Sequence, residues 1–174
     1  THLASSAASD VYKRQLQWLD ISQNPEMSDL SLGPNTNALR ARIELHAKDN
    51  NFSSMSLTDP TRFKVLNLSN SLKVSELDFS EFTNLYSLNI SHNPSVTAVT
   101  LPETNDLQYL NVDYCQISEL NISHLNNLQT LNAEGNQLTS LDISNNPNLS
   151  GISLENNRPV SYTHLRAHET TSHL

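Results

Sequence analysis

The chain has 174 residues, is 36% hydrophobic and 16% charged, and carries a formal net charge of -8. That acidity argues against nucleic acid as a partner, because phosphate binding requires clustered Lys and Arg. One cysteine and 3 glycines exclude an internal disulfide framework and argue against a Cys-based zinc site and phosphate-cradling loops.

In chain order, Thr1 to Gln15 (THLASSAASDVYKRQ) has no place in the pattern that follows. Pro159 to Leu174 (PVSYTHLRAHETTSHL) also stands apart. On DVYKRQ and SYTHLRAHET, both ends resemble translated sequencing-adapter read-through, so 1–15 and 159–174 are expected to be a non-native or disordered leader and tail. His164 and His168, at helical spacing, lie in that tail and are discounted as metal ligands. Between the ends, 16–158 is read as one array of about six and a half coils, truncated at both sides. Leu16, Leu19, Ile21, Leu30 and Leu32 set its first copy, and Gly33 to Leu39 is a turn-rich insertion. An irregular copy follows on Ile43, Leu45, Phe52, Met55 and Leu57, closed by Asp59-Pro60. From Phe63 the register is regular, with copies starting at 63, 85, 107, 128 and 149. No apolar run is long enough to span a bilayer, and no signal-peptide pattern is visible.

Two copies show the pattern best: LQYLNVDYCQISELNISHLNN at 107–127 above LQTLNAEGNQLTSLDISNNPN at 128–148. Apolar residues in each half copy fall at positions 1, 4 and 6, and the last two alternate as on a strand. A helix from Leu107 and Leu110 would need Asn111 and Tyr114 buried, yet the apolar residues are Val112 and Ile117. Asn-Pro at 24, 93 and 146 interrupts the chain just after a strand, where proline does least harm. A copy with about six or seven apolar side chains cannot offset the ordering of its own backbone, so only stacking stabilises it.

The spacing L-x-x-L-x-L-x-x-N/C-x-L resembles the leucine-rich repeat over 16–157, and LQYLNVDYCQI and LQTLNAEGNQL match all positions but Ala133. LTSLDISNNPNL repeats the motif in the second half of its copy. In this the chain resembles a bacterial 21-residue subclass with a strand in each half. The resemblance implies a mainly β solenoid of short parallel strands, two strand-like segments per coil and few or no helices. It further implies protein–protein interaction or adhesion, on a secreted or surface-attached bacterial protein. The sequence itself leaves two alternatives open: a right-handed β-helix enzyme acting on polysaccharide, or an accessory repeat region of an enzyme.

The turn after each first strand carries Asn93, Cys115, Asn136 and Asn157, expected to form a structural ladder bonding the backbone of adjacent coils. On the first-half strands, spacing places Trp18, Arg42, Val65, Ser87, Tyr109, Thr130 and Gly151 in one outward row. Aromatic and Arg residues supply most contact hot spots, so Trp18, Arg42, Tyr86, Tyr109, Asp113 and Tyr114 are the binding-face candidates. No G-x-S-x-G, H-E-x-x-H or phosphate loop occurs, and Asp142 and Glu119 are read as solvated acidic residues. The expectation is a non-enzymatic chain without metal or cofactor, whose partner is another protein or a cell-surface ligand.

Overall fold

A computed structural model describes residues 17–33, 42–158 and 161–163. The leader 1–15, most of the tail 159–174 and residues 34–39 of the turn-rich insertion lie outside the described residues.

The first-half strands are β1 (Trp18–Asp20), β3 (Ile43–His46), β5 (Phe63–Asn67), β7 (Ser87–Asn89), β9 (Tyr109–Asn111), β10 (Thr130–Asn132) and β12 (Gly151–Ser153). They form one 7-stranded parallel sheet in the order β1-β3-β5-β7-β9-β10-β12, so each strand pairs with its counterpart one coil on. Leu88 faces Leu110, Leu110 faces Leu131, and Leu131 faces Ile152. Parallel neighbours demand a crossover, and here the rest of the coil supplies it.

The second-half strands are β2 (Asp29–Leu32), β4 (Ser54–Leu57), β6 (Glu76–Asp78), β8 (Ala98–Thr100), β11 (Ser140–Asp142) and β13 (Ser161–Thr163). They form three separate two-stranded pieces, β2-β4, β6-β8 and β11-β13, rather than one continuous sheet. Residues 119–121, the counterpart in the 107–127 coil, carry no strand. The backbone of 161–163, within the tail, pairs with β11, Leu141 facing position 162. A 3-10 turn at Pro60–Arg62 is the one helical element among the described residues.

Between the two faces runs a single apolar column. Leu45, Leu66, Leu88, Leu110 and Leu131 are essentially fully buried on the first-half side, and Leu77, Phe79, Leu101, Leu120, Ile122 and Leu141 on the other. Phe79 and Phe82 meet edge to face with centroids 5.3 Å apart, and Phe82 lies 5.9 Å from Phe63, filling the first coil of the regular stretch.

One expectation of register is corrected. Trp18 stands opposite Glu44, and Glu44 opposite Val65, so Glu44 and not Arg42 completes that outward row. The cause is that Leu45 faces Leu66 and Ala47 is fully buried two residues on, so Leu45 and Ala47, not Ile43 and Leu45, take the inward places that Leu66 and Leu68 take in the next coil. Ile43 faces Phe63 while Glu44 faces Val65, and Lys64 has no counterpart in the preceding strand. Arg42 therefore precedes the strand. Two residues on, a second outward row runs Asp20, His46, Asn67, Asn89 and Asn111.

Candidate functional site

Two columns of turn residues fix the edge of the first-half sheet. In the first, Asn93 Nδ2 donates to Ile90 O (2.7 Å) in its own coil and Leu68 O (3.0 Å) in the coil before. Its Oδ1 accepts the amides of Ser71 (2.8 Å) and Leu72 (2.7 Å). Asn136 and Asn157 repeat this, donating back to Val112 O and Ala133 O and accepting from Ile117 and Leu138. Cys115 fills the same slot, its Sγ donating to Ile90 O at 3.3 Å. Burial pushes its thiol up to about 11. The column is longer than the sequence suggested: Asn24, Asn50 and Ser71 continue it upstream. Ser71 escaped notice because a hydroxyl does here what an amide does elsewhere, donating to Ala47 O at 2.6 Å.

The second column was not foreseen. The residue before each ladder position has left-handed backbone: Gln23, Asp49, Asn70, His92, Tyr114, Gly135 and Asn156, with φ between 51 and 66°. Such φ is uncommon outside glycine and is best tolerated by Asn, Asp and His. The enrichment of those types at this position is the signal that could have revealed it. A related device ends the strands. The amides of Ser69, Ser91 and Asp113 bond the side-chain oxygens of Asn67, Asn89 and Asn111 two residues back. These Asx turns account for the repeated Asn-x-Ser triplets.

The candidate contact residues fall into three groups. Trp18 is 57% exposed at the first strand, its ring 6.0 Å from His46. In mid-sheet, Tyr86 and Tyr109 pack edge to face at 5.2 Å, and Lys64 Nζ lies 5.1 Å above the Tyr86 ring. A hydrogen bond to Tyr109 raises the Tyr86 hydroxyl pKa. At the turn edge, Tyr114 stacks on His92 at 4.9 Å and 9°, and its hydroxyl bonds the Glu134 carboxylate. That bond raises the Tyr114 pKa. The other side of this ring lies against Gly135, where an added Cβ would come within 2.6 Å of it. Both faces of Tyr114 are therefore used within the fold. Asp113 accepts the Glu134 amide at 2.7 Å, and burial raises its carboxyl pKa despite that bond. Arg42 is exposed ahead of its strand and joins none of these groups. The structure thus brings together Tyr86 and Tyr109, adds Lys64 to them, and sets Asp113 and Tyr114 apart at the turn edge.

Among the described residues, no group of three or more His, Cys, Asp or Glu is placed to hold a metal ion. No helix there is long and apolar enough to cross a membrane.

The Leucine Rich Repeat family model matches residues 106–128. No curated protein matches the chain in sequence. Among solved structures, the chain is similar to a leucine-rich-repeat protein of Leptospira interrogans, with TM-score 0.66 and 24% identity over 86% of this chain and 39% of that one. It is similar to the functional domain of InlJ from Listeria monocytogenes, which includes a cysteine ladder, with TM-score 0.61 and 23% identity over 81% of this chain and 32% of that one. The leucine-rich repeat domain of APL1B gives TM-score 0.52 and 18% identity over 87% of this chain and 51% of that one. The chain thus spans a third to a half of the length of these structures. The chain has the fold of a leucine-rich-repeat solenoid.

Proposed function

We propose that the first-half sheet is a protein-contact surface, and that the chain serves protein–protein interaction or adhesion within a larger secreted or surface-attached bacterial protein. The observation that carries this is the mid-sheet patch of Lys64, Tyr86 and Tyr109 on a largely polar sheet, with Trp18 exposed farther along the same face. Rings presented from short, mutually hydrogen-bonded strands lose little freedom on contact, which suits hot-spot residues. The bacterial origin of two of the similar structures supports the proposed setting.

The test is surface plasmon resonance of the full chain against immobilised fibronectin, laminin, collagen and serum proteins, with pectin and peptidoglycan alongside. The proposal predicts that a protein is bound, and that Tyr109→Ala or Tyr86→Ala weakens binding about tenfold or more. Binding confined to the polysaccharides, with release of reducing ends, would replace it with the carbohydrate-active reading.

A further inference from the structure

The second-half face is broken between two consecutive coils. At Phe52 the coils are still joined: Phe52 bridges Leu72, and the Lys73 amide donates to Phe52 O at 2.8 Å. Beyond that point they part. Among the described residues, β4 pairs only with β2, and β6 only with β8, so the facing edges of β4 and β6 are unpaired with each other. The local sequence explains the parting. Asp59 takes left-handed backbone (φ 63°) and starts the Pro60–Arg62 turn, the one such turn among the described residues, while Phe82 packs against Phe63 and Phe79 within the coil that follows. Between the edges lies a cavity of about 470 Å³. Its apolar lining includes Met55, Leu57 and Phe82, and its carboxylates are Asp59, Asp78 and Glu81.

We propose that this cleft is a second binding site, which takes an extended, basic peptide segment of a partner protein by strand addition to the free edge of β4. Three features fit that occupant. An unpaired strand edge offers a row of backbone donors and acceptors that an extended chain satisfies. The apolar lining accepts the side chains that alternate toward the cleft. The charge is one-sided: the nearby cation Arg62 sits 3.9 Å from Asp59, leaving Asp78 and Glu81 to meet a lysine or arginine. Asp78 is held as a carboxylate by the Ser80 amide, which donates to its Oδ1 at 2.8 Å. The site is independent of the first-half face and stands or falls separately from the function proposed for it.

The experiment is amide-resolved NMR titration of the full chain with the capped peptide Thr-Val-Lys-Val-Thr. Controls are the same peptide N-methylated at alternate residues, the peptide with glutamate in place of lysine, and n-butylamine. The proposal expects shifts at the amides of Met55, Ser56 and Leu57. It expects binding about tenfold weaker in the Asp78→Asn/Glu81→Gln variant and for the glutamate peptide. Binding should disappear on N-methylation. Asn at position 78 keeps the Asx turn, as Asn121 does for Ser123 elsewhere in the array. If the variant fails to fold, the glutamate and N-methylated peptides still decide. No shift at Met55 to Leu57 overturns the proposal, as does equal binding of the N-methylated peptide or the same shifts with n-butylamine.

Discussion

Gly135 shows how one residue can carry a constraint that no motif states. Its φ of 66° and the Tyr114 ring both oppose a side chain there. Gly135→Ala combines left-handed strain of roughly 1–2 kcal/mol with displacement of that ring. Chemical denaturation should show a loss of about 2–3 kcal/mol, and the Tyr114 ring resonances should shift. A loss below about 0.5 kcal/mol would mean the turn is not formed as described. The neighbouring Cys115 gives a pH test. Its thiol ordinarily loses its proton near 9.0, and burial moves this to about 11. Between those values the unfolded chain has released the proton and the folded chain has not, so stability falls as pH rises through the window. Tyr86 and Tyr114, also raised, act in the same direction, so the cysteine share is the difference between the native chain and Cys115→Asn. That difference should vanish if Cys115 is exposed.

At the scale of the element, the ladder ties successive coils through side chains as the sheet does through backbone. Asn93 is buried and satisfies two amides of the preceding coil. Asn93→Ala leaves those amides and two carbonyls without their partner, a cost of about 3–4 kcal/mol in urea unfolding. Cys115→Asn should act oppositely, adding about 1 kcal/mol, because an amide reaches carbonyls that the weak thiol donor serves poorly. Equal effects at the two positions would show that the slots are not equivalent turns of one column. This element was legible in part. Asn93, Asn136 and Asn157 stand out because the amide recurs, whereas Ser71 does not look like its neighbours. The Arg42 placement was misread for a definite reason. Ile43 and Leu45 alternate as an inward pair should, whereas the structure gives those places to Leu45, facing Leu66, and to the fully buried Ala47, which does not stand out as a core residue in the sequence. The breaks in the second face were illegible for another reason: Leu120 is as leucine-like as Leu141, yet only the latter lies on a paired strand.

Over the whole molecule, the column of leucines and the two turn columns bind each coil only to its neighbours, so stability is a sum of interfaces. A disruptive change in the middle, such as Leu110→Ala, should cost about 2–5 kcal/mol and lower protection from amide exchange most in the adjoining coils. The account rests on in-register stacking of the first-half strands, and engineered disulfides read this most directly. In a chain carrying Cys115→Asn, the pair Tyr109→Cys and Thr130→Cys places two thiols on facing residues of β9 and β10. Strands lie about 4.8 Å apart, within disulfide reach, whereas Tyr109→Cys with Asn132→Cys is offset by two residues along the strand. The account predicts a rapid, quantitative crosslink in the first pair and little in the second. Equal crosslinking in both, or crosslinking only in the offset pair, would contradict it.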